Sequence, residues 1–557
     1  MTRIVECVPN ISEGRDHAVI DAVTGVVNQV EGVELLDVDP GEDTNRTVIT
    51  IVGDPDGVVE AAFRLIKKAA ELIDMSKHSG AHPRMGATDV CPFVPVSDVT
   101  MDDCVELAKR LGKRVGDELG IPVYLYEYAA QRPERKNLAN CRIGEYEGLQ
   151  DRVGKEKWMP DFGPFSFPKK SGATAVGARD FLIAWNVNLN TRNTLIATKI
   201  ANRLRERGYG DVDDKGRFVR DAEGNVVMIP GRFKGVKAVG WYIDQYKQAQ
   251  ISCNLVNYHL SPPHLVFDEA CKLADEFGVR VTGSELVGLI PLDAMLQAGE
   301  YFLKKSGVLT GLSEEEIVLN AIQSMGLDQI SGFDPQEKII EYRIRKPGIL
   351  TSMKINSFID ELASDSPAPG GGSVAALCGA LSAALASMVA HLTFGKKGYR
   401  QHDETMDELS VKAQKLKAKL VDYVDKDTEA FNKVMAAFRL PKGTPEQEEE
   451  RNAAIADANK LAASIPFEVL SLMPDVITLA KTAAAFGNKN LTPDAGVSGL
   501  TAALAARGAA YNVRVNLQSL PDDDFSLKMK QDTDRILAEV DSIAAEIKEE
   551  IEGRLWT

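Results

Sequence analysis

Three regimes of pattern follow one another along the 557-residue chain, and the last changes character. Up to about residue 303, strand-like and helix-like segments alternate. From about residue 351 onward the sequence is alanine-rich, its apolar residues recur at helical spacing, and strand signals nearly vanish. No single architecture serves both patterns: the first needs sheets covered by helices, the second a bundle. The expected fold is α/β followed by all-α, with two adjacent α/β subdomains and then a mainly helical bundle domain.

In the first subdomain, 33–38 and 47–52 read as strands, rich in branched residues and ended by Asp-Pro and Gly-Asp. Val59, Ala62, Leu65, Ile66, Ala69, Leu72 and Ile73 mark a helix between them and the next strand signals. Thr100 before Met101-Asp102-Asp103 looks like a capped, acidic helix start, and 121–126 reads as another strand. The second subdomain has a strand at 181–189, a helix around Leu195, Ile196, Ile200 and Leu204, and a turn at 221–225. Strands at 237–258 and a helix at 265–277 follow. The crease between two such layers is the natural place for a ligand. Residues 304–350 read as a helix plus an exposed linker. About five main helices are expected after it, with long ones at 403–440 and 536–551 and with Pro466, Pro474 and Pro493 dividing the remainder. The expected boundaries are 1–180, 181–303, 304–350 and 351–557.

A net charge of −16 excludes sequence-independent nucleic-acid binding, which needs a cationic field. Seven scattered cysteines with no CxxC pair point to a reducing compartment. The opening Met1-Thr2-Arg3-Ile4-Val5-Glu6 has no apolar run, so no signal peptide is expected and the cytoplasm is the expected location. Residues 373–394 carry no formal charge, but Ala, Ser, Gly and His391 there favour a helix buried in a bundle over a membrane span.

Several residues can carry chemistry. His82 lies in Gly80-Ala81-His82-Pro83-Arg84-Met85-Gly86; Pro83 keeps it out of helical geometry, and the glycines permit a tight loop beside a ligand. It suits proton transfer near neutral pH, or equally a loop histidine bonded to backbone. Asp39 at an Asp-Pro turn suits a cationic amidinium and Arg46 a carboxylate; a turn aspartate and a surface arginine are the plainer alternative. Ser12, in the strand exit from Glu6 through Asn10 to Gly14, reads as a helix cap. His259 and His264 do not have metal-pair spacing, and no metal is expected. Pro369-Gly370-Gly371-Gly372-Ser373 feeds a helix start with open backbone amides. It lacks the Gly-Lys-Ser/Thr ending of a nucleotide loop, and Ser373 as a simple cap explains it nearly as well. Asp427 falls inside the stripe Leu420, Tyr423, Val424, Phe431, Val434, Phe438, whereas Asp422 and Asp425 do not. A carboxyl among apolar groups stays protonated and can act as a general acid; a buried aspartate satisfied by neighbouring Ser or Asn is the alternative.

Together these segments resemble the formiminotransferase-cyclodeaminase family. The likeness rests on residues 6–14, Asn45-Arg46-Thr47-Val48, 79–89 and Ser171-Gly172-Ala173-Thr174-Ala175-Val176-Gly177-Ala178-Arg179. In the helical part it rests on 369–376, 425–431 and Arg439-Leu440-Pro441-Lys442, in the family's order. The resemblance implies transfer of a formimino group from N-formimino-L-glutamate to N5 of tetrahydrofolate. Ring closure to 5,10-methenyltetrahydrofolate with loss of ammonia follows, part of histidine breakdown. Tetrahydrofolate is then a co-substrate, in (poly)glutamylated form, and no metal is implied. His82 matches the family's catalytic histidine and Asp427 its cyclodeaminase acid. Substrate contacts fall to Asn10, Asp39, Arg46, Gly163, Pro164 and Gly172, and to Gly371, Gly372 and Ser373. Residues 163–172 align with the folate segment but carry the extra basic pair Lys169-Lys170. A homo-oligomer is implied too. Three rivals remain: a methenyltetrahydrofolate cyclohydrolase-like helical half, an N-formylglutamate donor, and a catalytically silent folate-binding scaffold.

Overall fold

The computed structural model describes residues 3–41, 45–80, 83–244, 246–330, 332–345 and 347–555. The chain packs as two units, 1–298 with 321–345, and 299–320 with 346–557.

The first unit opens on a seven-stranded mixed sheet. Its strands are β1 (Ile4–Cys7), β2 (Asn10–Ile11), β3 (Val33–Gly41), β4 (Arg46–Gly53), β5 (Thr88–Ser97), β6 (Val123–Glu127) and β7 (Thr174–Ala178). They bond in the order β1-β4-β2-β5-β7-β6, with β3 on β4. The β5–β7 and β6–β7 pairs are parallel. Helices α1 (His17–Thr24), α2 (Pro55–Leu72) and α3 (Met101–Leu119) close a core with Val5, Cys7, Ile49, Ile51, Cys91 and Phe93. α2 starts at Pro55 after Asp54, whose side chain accepts from Asp56 and Gly57 N–H. α3 has the full reciprocal capping box between Thr100 and Asp103 and stops at left-handed Gly120.

Two local expectations fail here. Pro40 does not end its strand: β3 runs through it to Gly41, because β3 is an edge strand and tolerates a missing donor. Ser12 is not the cap of α1. Asp16 caps it, and Ser12 Oγ donates instead to Gly86 O at 2.8 Å.

After a short α4 (Leu138–Cys141), the second subdomain forms a four-stranded antiparallel sheet from β8 (Ile183–Leu189), β11 (Val236–Ile243), β12 (Gln248–Leu255) and β13 (Val281–Val287), in the order β11-β12-β8-β13. A small pair, β9 (Tyr209–Gly210) and β10 (Met228–Ile229), lies between. α5 (Thr194–Leu204) and α6 (Pro263–Glu276) pack on this sheet.

The stretch 304–350 differs from expectation. It follows α7 (Leu292–Ser306) with α8 (Glu314–Met325) and the short α9 (Pro335–Lys338) and α10 (Ile340–Ile344). Val318, Ala321, Ile322 and Met325 are buried along α8. The acidic run Glu314-Glu315-Glu316 is its first turn, where Ser313 and Glu316 cap each other.

The second unit is helical: α11 (Ile355–Leu362), α12 (Gly371–Thr393), α13 (Asp403–Phe438), α14 (Pro445–Phe486), α15 (Thr492–Leu517) and α16 (Asp524–Leu555). α12 and α14 are by length and composition apolar enough to cross a membrane, and both pack within the bundle. Small residues on α12 let its neighbours close in: a Cβ on Gly379 would sit 3.0 Å from Met473 and 3.3 Å from Leu420. Pro466 and Pro474 do not divide α14. The carbonyl of Ala462, which Pro466 has no N–H to serve, accepts from Asn516 Nδ2 at 2.6 Å. Pro493 does start a helix, in the first turn of α15.

Candidate active sites

The first site grows from a bulge. β5 pairs Val90 with Asn10 and Thr88 with Ile11, leaving Asp89 as the extra residue. Its carboxylate is fully buried and accepts from Met85 N–H (2.9 Å), Arg46 Nη1 (2.6 Å) and Arg142 Nη2 (2.5 Å). Arg46 also donates through Nε to Asn10 Oδ1 at 3.1 Å, and Asn10 Nδ2 donates to Val8 O. Asn10 and Arg46 are thus brought together, but Arg46 is neither a surface arginine nor free to fork onto a substrate carboxylate: two of its donors are spent inside. Burial pulls its guanidinium below the usual value; Asp89 opposes that. Asp39 stands exposed on β3, opposite Val48.

His82 and Ala81 lie outside the described residues; the two sides of their loop do not. Asn45, with a left-handed φ of 47°, is the latch. Its Oδ1 accepts from Gly14 N–H (3.0 Å), its Nδ2 donates to Ser79 O (2.9 Å), and its carbonyl takes a bond from His78 Nε2 (2.9 Å). Arg84 Nε donates to His78 Nδ1 at 3.2 Å. An arginine can only donate, so His78 carries its proton on Nε2 and is neutral. Burial holds its pKa below the ordinary histidine value. Arg84 in turn pairs with Glu145 (3.0 Å) and Glu147 (2.7 Å). His78, Ser79, Gly80, Arg84, Glu145 and Glu147 line a cleft of about 460 Å³.

Residues 163–172 border this loop through glycine. Gly86 and Gly172 meet in a bridge, and a Cβ on Gly172 would lie 2.3 Å from Met85 O. Gly163 and Gly172 have φ of +82° and +67°, and Pro164 is exposed. The basic pair is anchored by its backbone: Tyr146 OH donates to Lys169 O, and Met75 N–H to Lys170 O. His264 lies buried in α6, its pKa lowered to about 4 by burial, and His259 stacks on Tyr258. Among the described residues no group of three or more His, Cys, Asp or Glu is placed to hold a metal.

The second site lies where α12 begins. Gly370, not Ser373, occupies the cap position, with no side-chain bond. Ser373 Oγ lies 2.9 Å from Val424 O, 3.2 Å from Asp427 Oδ2 and 3.3 Å from Thr428 Oγ1. Asp427 rests against the helix start where a side chain is missing: a Cβ on Gly372 would fall 2.1 Å from its Oδ1. Burial raises the Asp427 pKa, and the Ser373 hydroxyl and backbone N–H partly offset this. Gly371 faces Asn512 of α15, whose amide nitrogen would be 3.4 Å from a Cβ there. The apolar stripe around Asp427 is half realised. Leu420, Tyr423 and Val424 are buried, Phe431 and Val434 only partly, and Phe438 is 50% exposed. The end of α13 and the start of α14 stand clear of the core, whose first buried α14 residue is Ala458. Asp425 does point elsewhere, accepting from the backbone of Leu350 and Thr351.

Sequence reasoning missed Asp89, Arg142, His78 and Asn512. Asp89 was inside a quoted motif, but the bulge that buries it is a pairing fact; the other three follow no motif.

Two units with a separate set of polar groups in each define a two-part enzyme scaffold. Family models match in the same division. Residues 4–179 match the N-terminal subdomain of the formiminotransferase domain, 184–345 the formiminotransferase domain, and 354–535 formiminotransferase-cyclodeaminase. The formimidoyltransferase-cyclodeaminase of Sus scrofa is 41% identical over 558 residues, covering 100% of both chains. The glutamate formimidoyltransferase of Streptococcus pyogenes is 44% identical over 55% of this chain and 94% of its own. The methenyltetrahydrofolate cyclohydrolase of Methylorubrum extorquens is 39% identical over 36% of this chain and 97% of its own. The chain belongs to the formiminotransferase-cyclodeaminase family, and is an enzyme with a transferase half and a cyclodeaminase half.

Proposed function

We propose that the α/β unit moves the formimino group from N-formimino-L-glutamate to N5 of tetrahydrofolate. The helical unit then closes the ring to 5,10-methenyltetrahydrofolate and releases ammonia. In the transfer, N5 attacks the formimino carbon, His82 takes the N5 proton and returns it to the departing glutamate nitrogen. Asp39 faces the cationic formamidinium, and Asn10 with Gly163, Pro164 and Gly172 seats the substrates. Arg46 acts through Asn10 and Asp89 rather than on substrate. In ring closure, N10 attacks the amidine carbon, Asp427 protonates the amine that leaves as ammonia, and the N10 proton restores the acid. Gly371, Gly372 and Ser373 supply the open helix start beside it.

The observation that carries this reading is the Asp427 carboxyl, seated against the side-chain-free start of α12 at Gly372, with its pKa raised by burial. It is supported by relatives of that name matching the whole chain. The cyclohydrolase relative favours one alternative for the helical half, loss of water instead of ammonia. The test mixes formiminoglutamate, tetrahydrofolate and purified protein, and follows methenyl absorbance, glutamate and ammonia. His82→Ala should abolish glutamate release and spare ring closure of supplied 5-formiminotetrahydrofolate; Asp427→Asn should do the reverse. Equal loss of both in either variant would sink the two-site reading. No ammonia from 5-formiminotetrahydrofolate, together with closure of a formyltetrahydrofolate by loss of water, would leave the cyclohydrolase.

A homo-oligomer and a cytoplasmic location belong to the same proposal. α15 exposes Val497, Leu500, Leu504, Tyr511 and Val515 along one helical line, a face suited to a second copy. None of the seven cysteines is in a disulfide, which suits a reducing compartment.

A further inference from the structure

The sheet of the second subdomain has an oily face and a polar one. β8 turns Ile183, Trp185, Val187 and Leu189 into the core and presents Asn186 and Asn188 on its other side. There a hydrogen-bonded chain crosses all four strands. Trp241 on β11 donates Nε1–H to Gln250 Oε1 on β12 (3.0 Å). Gln250 Nε2 donates to Asn188 Oδ1 on β8 (2.7 Å) and reaches Glu285 Oε2 on β13 (3.3 Å).

The orientation of every amide in this chain is forced. An indole N–H can only donate, so Gln250 must turn its oxygen to Trp241 and its nitrogen inward. Asn188 must therefore accept through Oδ1, which leaves its Nδ2 over. That nitrogen is enclosed and has no hydrogen-bond partner among the described residues, although Asn188 and Gln250 are both fully buried. A buried donor left unpaired is costly, and a native protein keeps one for a reason. Glu285 holds the other incomplete end. Its Oε1 accepts from Tyr246 OH (2.8 Å), while Oε2 has, among the described residues, long contacts at 3.3 Å to Gln250 and Asn186.

We propose that this face reads the aminopyrimidinone edge of the tetrahydropterin, an inference that rests on the folate reading above. That edge presents an amino N–H, a ring N–H and a carbonyl oxygen side by side: donor, donor, acceptor. Glu285 and Asn188 present the complement, two carboxylate acceptors and one spare amide donor, both beside the same Gln250 nitrogen. The ligand's paired N–H groups replace the Tyr246 hydroxyl and the long contacts with a two-point, charge-assisted bond. Trp241, 43% exposed on the outer strand, offers a flat surface for the ring.

The test uses full-length protein and follows glutamate release with tetrahydrofolate or its 2-desamino analogue as acceptor. Wild type should use the analogue with a kcat/KM roughly ten- to a hundredfold lower. Glu285→Gln should lose a similar factor for tetrahydrofolate, through KM, and should no longer distinguish the two acceptors. Its KM for formiminoglutamate and its ring closure should match wild type. Equal use of both acceptors by wild type overturns the proposal, and needs no variant to fold. So does discrimination that survives in Glu285→Gln. Wild type that releases no glutamate at all overturns the folate reading itself, and this inference with it.

Discussion

The two candidate sites hold their working groups by opposite means. In the α/β unit, loops far apart in sequence are latched by side chains: Asn45 ties Gly14 to Ser79, Arg84 ties His78 to Glu145 and Glu147, and Asp89 gathers Arg46 and Arg142. In the helical unit the position of Asp427 is set by missing side chains, with Gly372 and Gly371 opening the start of α12. A latched site should fail through stability when a bond is cut. A site made by close approach should fail through geometry while the fold survives.

The largest expected effect on activity tests the second half of that contrast. Gly372→Ala puts a methyl group 2.1 Å from Asp427 Oδ1, so the carboxylate must move. Ring closure should fall on the order of a hundredfold, the usual cost of displacing a reacting group by an ångström. Glutamate release should stay at the wild-type level. A variant that closes the ring normally would show that Asp427 does not need this seat.

Asp89→Asn tests the first half. It leaves two arginines facing a neutral amide in a dry place, and breaking a buried pair costs about 3–5 kcal/mol. Chemical denaturation of the α/β transition should show that loss, and the helical transition should not shift. Unchanged stability would break the latch picture.

The smallest effect is a pH shift. With Asp427 as the proposed general acid, ring closure should decline as pH rises through its raised pKa. Ser373→Ala removes a donor that favours the charged form, so the declining limb should move to higher pH by a fraction of a unit. Movement the other way would mean that Ser373 does not act on Asp427. The same shift has a stability sign. A carboxyl whose folded pKa exceeds its unfolded one loses stability as pH rises across that interval. Asp427→Asn should therefore gain on wild type in thermal midpoint above it and match wild type below it.

Much of this was legible in the residues. The capped, acidic start of α3, the apolar spacing of α2 and the turn from α/β to helical pattern are short-range facts, and the structure has them where the sequence places them. The failures share a cause. Pro40 and Pro466 read as breaks because the edge position of β3 and the rescue of Ala462 O by Asn516 depend on partners distant in sequence. The Asp427 stripe read as buried along its length because periodicity cannot say where the rest of the bundle stops.

Periodicity and capping chemistry act within a turn or two of the backbone. The sequence by itself therefore determined which segments are strand or helix, where several begin, and that a carboxyl sits on the apolar side of α13. Which side chains meet across dozens or hundreds of residues was decided by packing alone: Asp89 with Arg142, Asn45 with Ser79, Gln250 with Asn188, Gly372 with Asp427. Those encounters build the candidate sites. They depend on register, bulges and the absence of a Cβ, which take effect only when the strands and helices have closed on one another.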